Sequence, residues 1–202
     1  MVFADTGDIV SGGNFHGAPI AIAADLLAAA LVPLATISER RTDRLVDPAL
    51  SGLPAFLHAR RRRCKSGYML AQVTAAAVAS ELKTLAHPAG VDTIPTSANK
   101  EDHVSMSMTA ALKAERARRR AREVIAIEIL CACQAIDLLA PLDDVAARCS
   151  ASTQLVRSRV PMLDDDRAPA PDIVAITELI ATSALEERVR RTSQVKNFSF
   201  SN

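Results

Sequence analysis

Aromatic side chains are nearly absent from this chain. They make up 3% of its 202 residues, with one tyrosine and no tryptophan, so there is little from which to build a base-stacking platform for nucleic acid. Glycine is scarce too, at seven residues. With abundant alanine and leucine and few β-branched runs, that scarcity favours helix over sheet. Charge of one sign is also lacking: the net charge is +1, which offers no global attraction to nucleic acid or to a membrane surface. Cys64, Cys131, Cys133 and Cys149 show no secretory spacing. Cys131 and Cys133, two apart on a predicted helix, point to different faces and cannot both turn to one metal, so they read as small buried hydrophobes. No signal segment is recognisable, and the most apolar run, Ala18 to Ile37, carries Asp25 and Pro33. The expectation is a soluble, cytoplasmic protein without a nucleic-acid or membrane partner. No Gly-x-Ser-x-Gly elbow supports nucleophilic hydrolysis, and His16, His87 and His103 match no metal-ligand spacing.

Hydrophobic residues form 49% of the chain, enough for a sizeable core, and the pattern predicts one all-α region over 1–202. Residues 1–18 form its N-terminal loop segment and 192–202 a frayed tail. Val2 to Val10 suggests a short hairpin or turn with Gly7 at the bend, and Ser11 to Gly17 a loop with Phe15 inside it. A helix is expected from Pro19 to about Val46, kinked or split at Pro33, and its end carries Ser38-Glu39-Arg40-Arg41. Asp47 to Pro54 reads as a loop, and Arg60–Arg63 with Lys65 as a solvated basic run. Met69 to Ala86 forms the next helix, with Met69, Val73, Ala76, Ala77 and Ser80 at helical spacing. His87-Pro88 stops it.

Val104 to Ala140 reads as one helix on the order of 50 Å long. Its middle, Arg116 to Arg122, is basic, and Val124, Ile127, Leu130, Gln134 and Ile136 approximate a stripe. So long a helix wants partner helices, which points to a homo-oligomer. Two further helices are expected at about 142–160 and 171–191. The chain's most suggestive stretch lies just before the long helix, where Glu101, Asp102 and His103 follow a loop punctuated by Pro95. At a helix start such acids serve either as a cap for unpaired N–H groups or as a site, and residue types alone leave both open.

The stretch Asp92-Thr93-Ile94-Pro95-Thr96-Ser97-Ala98-Asn99-Lys100-Glu101-Asp102-His103-Val104-Ser105-Met106 resembles a signature block of the histidine-specific branch of the aromatic amino acid lyase family. The likeness extends in order to Ser11–Gly17, Ser38–Arg41, Asp47–Pro54, Ser66–Met69, Leu85–Ala89, Asp165–Arg167 and Ala170–Ile173. The resemblance implies a long-helix bundle, a homotetramer, and elimination of ammonia from L-histidine to give urocanate. The electrophile is a methylidene-imidazolone that the family makes from an internal Ala-Ser-Gly. It also implies that Phe15 packs against the substrate, Met69 lines the side-chain pocket, and Glu101 acts near the imidazole and the amine. Phenylalanine lyases carry a lysine at the Met69 position and lack Glu-Asp-His, which favours histidine.

The departures from the family pattern are specific. No Ala-Ser-Gly occurs here: Ser11-Gly12, Ser51-Gly52 and Ser66-Gly67 follow Val10, Leu50 and Lys65. No cofactor is therefore expected from this chain itself. Lys100 stands where the family has glutamine, and Lys65 and Leu82 where it has asparagine. The resemblance implies the C-terminal portion of a family member, inactive unless an N-terminal lyase half supplies the electrophile. The alternative is a catalytically dead helical scaffold or assembly partner.

Overall fold

The computed structural model describes residues 2–12, 16–58, 65–141 and 145–192. A two-residue hairpin opens the chain, β1 (Val2–Phe3) pairing antiparallel with β2 (Asp8–Ile9). Gly7 turns the corner at φ 74°. The rest is helical: α1 (Ala18–Val46), α2 (Pro48–Ser51), a 3-10 turn at Ala55–Leu57, α3 (Met69–Leu85), α4 (Ser107–Leu139), α5 (Ala147–Arg157), α6 (Ala170–Ala181) and α7 (Ala184–Thr192). The all-α expectation holds. Arg60–Arg63, Cys64 and the tail from residue 193 lie outside the described residues.

Several expected boundaries move, each for a local reason. α1 continues through Pro33 rather than splitting there. By length and composition α1 is long and apolar enough to cross a membrane, so Asp25 and Pro33 do not disqualify it as the sequence reading held. α4 starts at Ser107 instead of Val104: the Val104 N–H donates to Thr93 Oγ1 at 2.8 Å, and Met106 is left-handed at φ 54°. The helix expected over 171–191 is two, broken at Ser183 (φ 58°). Part of the loop expected over 47–54 winds into α2, which Asp47 caps by accepting the Ala49 N–H at 2.8 Å. On α3 the buried face is Ala71, Ala75, Val78 and Ala79, a rotated version of the expected stripe: both sides of this helix carry alanine, so periodicity alone does not select one.

The chain divides into two compact units, Met1–Val32 with Glu81–Arg119, and Pro33–Ser80 with Arg120–Asn202. In the first, Ala21, Ala89 and Ala110 meet with Ala24 against them. Small residues let backbones approach closely, and a Cβ on Gly90 would stand 3.1 Å from both Ala21 Cβ and Asp25 Oδ2. The Asp25 carboxylate is consumed there, accepting the N–H groups of Ala89 (2.9 Å) and Gly90 (2.7 Å). The basic run of α4 is largely paired within this unit: Arg118 and Arg119 share Glu115, and Arg116 reaches Glu81. Those two guanidinium hydrogen bonds hold the Glu115 carboxyl down from the ordinary 4.5 to about 2.

The second unit is organised on α4, where Val124, Ile127, Leu130 and Gln134 are fully buried. The Gln134 amide donates to the carbonyls of Leu57 (3.2 Å) and Leu163 (3.0 Å) and accepts the Leu163 N–H at 3.0 Å. One turn and a half earlier, Glu128 accepts Ser38 Oγ at 2.6 Å and the Arg41 guanidinium. Cys131 and Cys133 are buried as expected, whereas Cys149 is exposed.

Replacing Gln134 by leucine keeps the volume but strands two carbonyls and one N–H in the interior. The expected loss is about 3 kcal/mol, read as a lower urea midpoint at unchanged slope. Glu115 makes a second prediction. Because its carboxyl is depressed in the folded chain, its contribution to stability is complete above pH 4.5 and lost as the pH falls toward 2. A carboxyl-resolved NMR titration should give about 2 for Glu115, moving back toward 4.5 in the Arg118→Gln, Arg119→Gln double variant.

Candidate active-site segments

The Glu101 segment lies in the first unit and is a tight hairpin rather than a helix start. Thr96 and Glu101 form an antiparallel bridge, each donating its N–H to the other's carbonyl at 3.1 and 3.3 Å. Between them Ser97, Ala98 and Asn99 are left-handed in succession, at φ 53°, 54° and 63°. None is glycine, and such residues cost on the order of 1–3 kcal/mol each, a strain that collects where a loop must present a side chain. The first turn of α4 contains no acid. Of the two readings left open for Glu101, Asp102 and His103, helix capping therefore falls, because α4 begins beyond them. All three side chains are exposed.

His103 ties this hairpin to the loop that precedes α1. Its ring stacks on that of His16, with centroids 5.4 Å apart and planes 14° from parallel, and His16 Nε2 lies 3.2 Å from the His103 carbonyl. Gly17 comes next, and a Cβ there would run into the Ser107 hydroxyl, so a glycine is needed for this close approach to α4. Phe15 itself lies outside the described residues. His16 lies within the Ser11–Gly17 likeness, but stacking on a ring 87 positions away leaves no local signal in the sequence.

Met69 belongs to the second unit, where it opens α3 half-buried. The turn before it is closely held. Tyr68 donates its N–H to the Phe56 carbonyl at 2.9 Å, and Met69 to that of Ser66 at 3.1 Å. Gly67 adopts φ 51°, where a Cβ would collide with the Phe56 carbonyl. Phe56 and Leu57 are themselves left-handed, at φ 54° and 57°. Asp166 accepts the N–H groups of Ser66 and Gly67, and Lys65 pairs with Asp165. The Ser66 amide, then that of Gly67, holds the Asp166 carboxyl below the usual carboxylate range, aided by His58 and Lys65. Tyr68 is buried, and burial pushes its hydroxyl up.

Glu101 and Met69 thus fall in different units, each on its own braced irregular segment. Among the described residues no group of three or more histidine, cysteine or acidic side chains is arranged to hold a metal ion. Burial pushes the Cys131 thiol up to about 12, which removes it as a nucleophile at neutral pH.

Known proteins share much of this sequence and the same fold. The histidine ammonia-lyase of Anaeromyxobacter dehalogenans (strain 2CP-C) is 56% identical over 186 residues, covering 92% of this chain and 36% of the relative. The crystal structure of histidine ammonia-lyase from Trypanosoma cruzi superposes with a TM-score of 0.88 at 42% identity, over 100% of this chain and 42% of that one. Tyrosine aminomutase from Streptomyces globisporus gives a TM-score of 0.88 at 32% identity, over 96% of this chain and 37% of its own. The chain therefore spans about a third of the length of the curated relative. The family described as aromatic amino acid lyase matches residues 1–159; by that match and by the identity and fold shared with these relatives, this chain belongs to the aromatic amino acid lyase family.

Proposed function

We propose that this chain supplies part of the substrate site of a histidine ammonia-lyase, which converts L-histidine to urocanate and ammonia. The observation that carries the reading is the Glu101 hairpin: three left-handed residues and a reciprocal Thr96 bridge hold an exposed carboxylate that no helix terminus uses. A carboxylate presented this way can hold, or exchange a proton with, an imidazole or an amine. Met69 offers a neutral, polarisable surface against which an imidazole ring can lie, and Phe15 would add an apolar ring contact.

The family's methylidene-imidazolone does not fit the residues present. No Ala-Ser-Gly occurs, and two of the Ser-Gly pairs are already engaged: Gly52 donates its N–H to the Pro48 carbonyl, and Ser66 and Gly67 donate theirs to Asp166. In this reading the electrophile comes from sequence outside these 202 residues. Assembly with further chains, a homotetramer by family, is supported by exposed Ile20, Ile22, Leu26 and Leu27 on α1 and Met108 and Leu112 on α4. Free thiols at Cys131, Cys133 and Cys149 suit a reducing, cytoplasmic setting.

Purified chain mixed with histidine should yield no urocanate by ultraviolet absorbance, and co-expression with an N-terminal family segment containing Ala-Ser-Gly should restore it. Turnover by the chain alone would overturn the need for that segment; failure of every such segment to complement would favour an inert scaffold. In the complemented assembly, Glu101→Gln should lower kcat by about 10²–10⁴-fold while leaving the assembly's elution volume unchanged.

A further inference from the structure

The start of α3 is clasped from a hundred residues away. The N–H of Ser66 donates to Asp166 Oδ2 at 2.8 Å and that of Gly67 to Oδ1 at 3.0 Å, so one carboxylate spans two successive amides, the concave arrangement that suits an anion. The next two N–H groups are also committed, Tyr68 to Phe56 and Met69 to Ser66. Four consecutive amides leading into Met69 thus have fixed partners, and the first two depend on a single side chain. That side chain is itself well anchored. Arg167, its neighbour, donates to the carbonyls of Pro161 (2.7 Å) and Met162 (3.2 Å) and pairs with Asp172 at 2.8 Å, and Gln134 grips Leu163 on both backbone groups.

We propose that Asp166 is a positioning residue for substrate recognition: its carboxylate clasps the Ser66-Gly67 turn and thereby sets where Met69 stands in the pocket wall. The inference rests on the reading of Met69 given above. The chemistry calls for a carboxylate, since two N–H donors meet two oxygens. An asparagine would offer one oxygen and turn its NH₂ toward the other donor. Burial does not force the contact, because the Asp166 side chain keeps 34% of its surface exposed. Asp165, next to it, contacts Lys65 instead of the turn and so serves as an internal control.

The test is hydrogen–deuterium exchange on the full chain, followed by kinetics of the complemented assembly with histidine. Asp166→Ala should speed exchange of the Ser66 and Gly67 amides about tenfold, with Asp166→Asn between it and the parent, Asp165→Ala unchanged, and the α4 core unaffected. In kinetics, Asp166→Ala should raise KM several-fold with kcat within about twofold, and Asp166→Asn should recover part of the loss. Unchanged exchange at Ser66 and Gly67, or a rise spread equally through α4, overturns the clasp. A local rise with KM unmoved in Asp166→Ala but raised in Met69→Ala overturns the link from Asp166 to Met69. If Met69→Ala also leaves KM unmoved, the reading of Met69 as a pocket wall has failed, and the proposed role in recognition falls with it.

Discussion

A buried amide holds the irregular segments of the second unit to its long helix. Gln134 is fully enclosed on α4, yet it uses both ends of its side chain on backbone groups of segments that have no helix to satisfy them: the carbonyl of Leu57 and both the carbonyl and the N–H of Leu163. Buried backbone groups without partners cost as much as the hydrogen bonds they forgo. A leucine at this position would fit the apolar stripe and leave those segments without a mooring. The contacts near Met69 adjoin this attachment. Leu57 fixes the left-handed Phe56 turn whose carbonyl receives Tyr68, and Leu163 leads to Asp166, which receives Ser66 and Gly67.

The first unit solves the same problem with an acid in place of an amide. Asp25 projects from α1 in a setting of small residues and takes two successive N–H groups at Ala89 and Gly90. This is the residue that, read from sequence, only seemed to interrupt an apolar run. The hairpin carrying Glu101 begins soon after, closed by its own bridge to Thr96 and tied by Thr93 to Val104. In both units, then, the segments suited to chemistry are short, non-helical and strained. The turn before Met69 keeps its shape because the Asp166 side chain receives its amides, whereas the Glu101 hairpin is closed by its own backbone bridge. Residues on a rigid frame with irregular backbone between are where binding groups commonly sit.

Much of the helical frame was legible. The positions of α1, α3 and α4 came from composition and periodicity to within a few residues, and the buried stripe of α4 was read down to Gln134. The details that failed did so for identifiable reasons. Capping by Glu101 was one of two readings that an acid cluster before a helical pattern left open, and it falls because α4 begins beyond Glu101. The buried face of α3 was rotated because alanine on every side leaves the pattern ambiguous. Ser183 broke the last helix through a left-handed backbone that no local propensity demands.

What the sequence determined by itself is the set of long helices and the family segments lying between them, because helical periodicity and a contiguous motif are both local properties of a chain. What only the tertiary structure decided is how those segments are held: the stacking of His16 on His103, the grip of Gln134 on Leu163, and the reach of Asp166 to Ser66 across 100 positions. Each joins a side chain to a ring or a backbone group far away in the chain. Such a partnership leaves no periodic trace, since it depends on where folding brings the two together and on which buried or strained groups are still in need of a partner.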